Sequence, residues 1–124
     1  MQKGETDEMA MQLFLDLYDC DSAVLNDLDA IRKIAHQAIS EIPAQIVEEC
    51  CHQFQPIGIT YIAVITTSHF SIHTWPEYGY AAVDVFSCHE GVPSLLADRL
   101  RAAFGAKQCK INQFERCITG GADT

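Results

Sequence analysis

A chain of 124 residues suits one domain with a modest core and little surface to spare. Seventeen acidic against eight basic residues give a formal charge of −9, which argues against nucleic acid or an anionic membrane as partner and fits a cationic substrate. No apolar run reaches membrane-spanning length and the opening Met1-Gln2-Lys3-Gly4-Glu5 is too polar for an export signal, so the expected compartment is the cytoplasm.

Residues 1–8 read as a loose tail. Met11 to Tyr18 then reads as a first strand with polar residues at 12 and 16. Asp19-Cys20-Asp21-Ser22 offers helix caps, and Leu25, Leu28, Ile31, Ile34, Ala35, Ala38 and Ile39 recur at helical spacing up to about Glu41, before Pro43. Strands are expected over Gln45 to Phe54 and Ile59 to Thr66. Glu90-Gly91 reads as a turn, and Pro93 suits the start of a helix built on Leu95, Leu96, Leu100, Ala103 and Phe104, which Gly105 ends. A last strand over Lys107 to Glu115 precedes a frayed end from Ile118 to Thr124. The implied unit, residues 9–117 between two flexible tails, is an α+β two-layer sandwich: a mostly antiparallel sheet with two helices on one face.

Between residues 65 and 88 lie a Ser, two His and a Cys with the means for covalent catalysis. Alternating residues on either side of Trp75-Pro76-Glu77-Tyr78-Gly79 predict two strands joined by a turn. Ser68 and His73 differ by five positions, so a regular strand puts them on opposite faces, and their cooperation demands a break or bend. Six cysteines without a CxxC pair predict reduced thiols. Cys20, Cys50, Cys51, Cys109 and Cys117 read mainly as small hydrophobes, and no metal site is expected.

The run Ile72-His73-Thr74-Trp75-Pro76-Glu77-Tyr78-Gly79-Tyr80-Ala81-Ala82-Val83-Asp84-Val85-Phe86, with Ser68-His69 before it and Cys88 after, resembles the core of the prokaryotic S-adenosylmethionine decarboxylase proenzymes. Phe54-x-Pro56-x-Gly58-x-Thr60 and Leu17-Tyr18-x-Cys20-Asp21 extend the resemblance over almost the whole chain. It implies a homodimer, the two-layer fold, and self-cleavage between Thr67 and Ser68. In that chemistry the Ser68 hydroxyl attacks the Thr67 carbonyl, and elimination and hydrolysis leave a pyruvoyl cofactor at position 68. The substrate amine then forms a Schiff base with the pyruvoyl ketone, an electron sink that no side chain matches. His73 is implied as the processing base, Cys88 as the proton donor after decarboxylation, and Thr60 as a hydroxyl that steadies processing, where Ser is usual. Phe54 and Trp75 are implied to sandwich the adenine, from different subunits, while Glu77 takes the ribose hydroxyls.

Each residue also has a plainer reading. Ser68 can merely open a strand, His73 can be a satisfied structural histidine, Cys88 a strand-end cysteine, and Thr60 an ordinary strand residue. Phe54 and Trp75 can be core aromatics and Glu77 a solvated turn residue. The chain departs from the family at Thr67, where Glu is usual, so a negative charge is missing beside the cleaved bond. Pyruvoyl decarboxylation of ornithine or arginine, and an uncleaved homologue that binds a nucleoside or regulates a cleaved partner, are the alternatives. Retained Phe54, Trp75 and Glu77 favour the adenosyl substrate, whose product supplies aminopropyl groups for spermidine.

Overall fold

Strict alternation along the strands decides which face of the sheet is covered. In the computed structural model, which describes residues 8–42, 44–66, 68–88 and 93–120, six strands form one antiparallel sheet ordered β2-β3-β4-β5-β1-β6. The strands are β1 (Met9–Tyr18), β2 (Ile46–Gln53), β3 (Ile59–Ile65), β4 (Ser68–Trp75), β5 (Tyr80–Ser87) and β6 (Gln108–Cys117). Leu13, Leu15 and Leu17 of β1, Phe70 and Ile72 of β4, and Ala81, Val83 and Val85 of β5 are buried on one face. The intervening residues form the opposite, open face, following the two-residue period of a pleated strand.

Helices α2 (Leu28–Ser40) and α3 (Pro93–Phe104) cover the buried face. Ile31, Ala35, Ala38 and Ile39 of α2 and Leu96, Ala97, Leu100 and Phe104 of α3 join the sheet residues in one core. The fold is therefore the expected α+β sandwich. Gly105 closes α3 with φ of 64°, the left-handed conformation that a side chain resists.

The first helix differs from the expectation of a single element from Leu25 to Glu41. It is broken into a one-turn α1 (Ser22–Leu25) and α2, with Asn26 and Asp27 between them. The Asp21 carboxylate accepts from the Ala23 N–H and that of Asp27 from the Ala30 N–H, so each helix has its own cap. Periodicity could not reveal the break because Leu25 and Leu28 are both apolar and spaced as a continuous helix requires. Cys50 also departs from its reading as a small hydrophobe: it is exposed, whereas its neighbour Cys51 packs against the core.

The Glu90-Gly91 turn, Pro43 and Thr67 lie outside the described residues. Near the C-terminal end, Ile118 N–H donates to the Glu8 carbonyl at 2.8 Å, and Glu8 N–H donates to Thr119 Oγ1 at 3.0 Å.

Candidate active site

Two groups of functional side chains lie at opposite ends of β4. At its far end, His73 pairs in register with Thr60 of β3, and their Nδ1 and Oγ1 atoms are 3.0 Å apart. Beside them opens a pocket of about 310 Å³ whose walls include Phe54, Thr60, His73, Trp75 and Glu77. Five of the eight positions singled out in the sequence thus meet in one place.

The chain builds this pocket from several elements. Phe54 follows β2, its N–H donating to Gly58 O at 2.8 Å, and Gly58 N–H donates to Asn26 Oδ1 at 3.0 Å. The Gln53 side-chain amide donates to the Asn26 carbonyl. Asn26, at the helix break, therefore ties down both ends of the loop that carries Phe54. The buried Thr74 Oγ1 accepts from Ile59 N–H and donates to the Leu25 carbonyl, fixing β3 and β4 against α1. Trp75 ends β4 and Glu77 sits in a single 3-10 turn, Pro76–Tyr78, closed by Gly79 at φ of 64°. Gly79 O accepts from Cys20 N–H at 2.9 Å, which anchors the turn to the end of β1. Phe54 and Trp75 remain 47% and 40% exposed, enough to meet a ligand. Both line this pocket within one chain.

At the other end, Ser68 begins β4 and pairs with Ile65 across the hairpin. Its Oγ is buried and has no hydrogen-bond partner. Buried hydroxyls are ordinarily paired, so this orphan is a sign of chemistry or strain. The register that sets His69 opposite Phe86 brings the end of β5, and Cys88 just beyond it, alongside the start of β4. Cys88 is exposed.

No break separates the two ends: β4 is continuous from Ser68 to Trp75, and its pairing with β3 keeps one register from Ser68 to His73. Ser68 shares the parity of buried Phe70 and Ile72, while His73 shares that of Trp75 on the open face. Five residues at about 3.4 Å each separate them by about 17 Å. Between them on the open face, opposite Ser71, lies Asp84; burial pushes its carboxyl above the usual aspartate range, against the pull of His73 and His69. The sequence reading missed Asn26 and Asp84, although the Asn26-Asp27 pair is a recognisable cap signal.

Among the described residues, no group of three or more His, Cys, Asp or Glu side chains is placed to hold a metal ion. Nor is any helix among them long and apolar enough to cross a membrane.

The chain is thus an antiparallel α+β sandwich with an orphaned serine at a hairpin and a pocket edged by aromatics at the far end of the same strand. Residues 11–117 match the sequence model of the S-adenosylmethionine decarboxylase family. The S-adenosylmethionine decarboxylase proenzyme of Prochlorococcus marinus (strain MIT 9313) is 44% identical over 103 residues, covering 82% of each chain. That of Thermotoga maritima (strain MSB8) is 40% identical over 109 residues, covering 87% of this chain and 84% of its own. The crystal structure of the adenosylmethionine decarboxylase from Aquifex aeolicus VF5 superposes with a TM-score of 0.82 at 27% identity, covering 94% of this chain and 97% of that one. The chain belongs to the S-adenosylmethionine decarboxylase family.

Proposed function

We propose that this chain is a self-processing, pyruvoyl-dependent decarboxylase of S-adenosylmethionine whose sites are each assembled from two copies. The observation that carries the two-copy reading is the separation along β4. Ser68 and Cys88 stand at one end, Thr60, His73 and the pocket at the other, with Ser68 and His73 on opposite faces. A second copy supplies the missing half of each site, giving a homodimer.

In maturation, the Ser68 hydroxyl attacks the Thr67 carbonyl carbon, and the amide C–N bond breaks as an ester forms. The absence of any hydrogen bond to Ser68 Oγ keeps that oxygen available, so the residue fits its part. His73 of a second copy, held by Thr60, removes the Ser68 α-proton, and elimination releases residues 1–67 with a free carboxylate. Water then replaces the nitrogen at position 68, which leaves as ammonia. The resulting pyruvoyl group supplies the carbonyl that accepts the electron pair released with carbon dioxide.

The chain's other residues hold the substrate and move its proton. Phe54 and Trp75 flank the purine and attract the sulfonium, and the Glu77 carboxylate accepts from the ribose hydroxyls. Cys88 returns a proton to the substrate carbon that lost its carboxylate. A pocket edged by two aromatics suits a nucleoside better than ornithine or arginine. The reaction runs in the cytoplasm and supplies aminopropyl groups for spermidine.

Co-expression of Ser68→Ala and His73→Ala chains tests the shared site. Neither variant cleaves alone, whereas random pairing gives about a quarter of the parent's active sites, because each hybrid dimer has one intact site. Absence of any activity in the mixture, with hybrid dimers present, refutes assembly from two copies.

A further inference from the structure

From Trp75 at the pocket wall an aromatic row runs across the open face, and its members beyond Trp75 have no part in the proposed reaction. Trp75 and Tyr80 are register partners on β4 and β5, with ring centroids 5.3 Å apart. Tyr80 stacks in turn on Tyr18 of β1 at 5.4 Å, and Lys110 Nζ of β6 lies 5.8 Å from the centre of the Tyr18 ring. The row thus crosses four neighbouring strands. Tyr80 also has a polar tether, its hydroxyl donating to Asp16 Oδ1 at 2.5 Å, while the other face contact of Trp75 is the His73 ring at 6.4 Å.

We propose that Tyr80, anchored by Asp16, is a positioning residue that holds the Trp75 ring in place at the pocket wall. The inference rests on the reading of Trp75 as a purine-stacking residue and extends it. An exposed indole at a strand end is free to change rotamer, and binding a flat ligand then costs the entropy of fixing it. A neighbouring ring held at both its face and its hydroxyl removes that cost in advance. A carboxylate acceptor makes the tether stronger than a neutral one. The Tyr80 hydroxyl keeps its proton for this bond, since burial, together with Asp16, pushes its pKa well above the tyrosine range. Lys110 over Tyr18 adds a cation–π contact that braces the far end of the row.

Trp75 is the only tryptophan in the chain, so its emission reports on this contact directly. Acrylamide quenching is measured in the uncleaved Ser68→Ala background, and decarboxylation kinetics in the cleavable chain, for Tyr80→Leu, Tyr80→Phe and Asp16→Asn. For Tyr80→Leu, quenching is expected to rise about twofold and KM about tenfold, with kcat falling less than about threefold, as loss of an aromatic pair at a binding residue requires. Tyr80→Phe keeps the ring and loses the tether, so its values fall between those of the parent and Tyr80→Leu, and Asp16→Asn follows it. Asp16→Asn leaves the stacked rings in place and serves if Tyr80→Leu does not fold.

Unchanged quenching in both Tyr80→Leu and Asp16→Asn overturns the proposal. So does a loss confined to kcat with KM unmoved. A separate Trp75→Leu variant isolates the underlying reading: if its KM equals the parent's, purine stacking falls, while the quenching still decides what Tyr80 does to the ring.

Discussion

Ser68 combines two properties that a serine rarely has together: its Oγ is buried, and no hydrogen bond satisfies it. Leaving a buried hydroxyl unpaired costs about 1–3 kcal/mol, a cost that the proposed attack on the neighbouring carbonyl would offset. Ser68→Ala is therefore expected to remain a single chain by intact-mass spectrometry and to show no decarboxylation. Cys88→Ala is expected to cleave into residues 1–67 and 68–124, yet turn over at least about a hundredfold more slowly, as loss of the proposed proton donor requires. A rate near the parent's in purified Cys88→Ala would remove the thiol from the mechanism. The sequence could nominate these residues because the proposed chemistry needs particular side chains. Their partners were less legible: a hydrogen bond such as Thr60 to His73 joins residues thirteen positions apart and exists only once β3 and β4 have paired.

Edge strand β2 leads directly into Phe54, so the element that holds β2 also holds the pocket wall. The Glu49 carboxylate of β2 receives Arg32 at 3.0 Å and His36 at 2.8 Å from α2, and the Tyr61 hydroxyl of β3 at 2.7 Å. The His36 bond first, then that of Arg32, holds the Glu49 carboxyl down at about 2 from an ordinary 4.5. A carboxyl lowered on folding contributes its full stability above pH 4.5 and loses it as pH falls toward 2. Glu49→Gln is accordingly expected to melt below the parent at pH 7. The gap between the two thermal midpoints should close between pH 4.5 and pH 2. A gap constant across that window would show that the clasp contributes no charge-dependent stability. Nothing in the local sequence signals this clasp, since Arg32 and His36 sit on the polar side of α2 as any solvated residues would. The break at Asn26-Asp27 was hidden for the opposite reason, because its flanking leucines continue the helical spacing.

A sheet covered on one side by helices should show water a polar opposite face. Here that face presents Ile62 and Val64 on β3 and, four strands away on β6, Phe114, at 44%, 49% and 58% exposure. Exposed apolar side chains of this kind suit the second copy that the proposed two-copy site calls for. Ile62→Glu, on β3 opposite Ser71 of β4, is expected to sediment as a monomer and to lose self-cleavage at the same time. A fully cleaved, active monomer would detach processing from dimer formation.

By itself the sequence determined the two-layer fold, the central β4–β5 hairpin and the membership of the family. Those features rest on local rules: a period of two for strands, a longer one for helices, and, for the family, the unbroken run of motif residues from Ile72 to Phe86. Only the tertiary structure decided that β1 lies between β5 and β6, that Phe54 joins Trp75 in one pocket, and that Ser68 and His73 stand at opposite ends and faces of an unbroken strand. Strand order and register follow from which distant backbones pair, and that choice is made by burying the whole core at once rather than by any short stretch of chain.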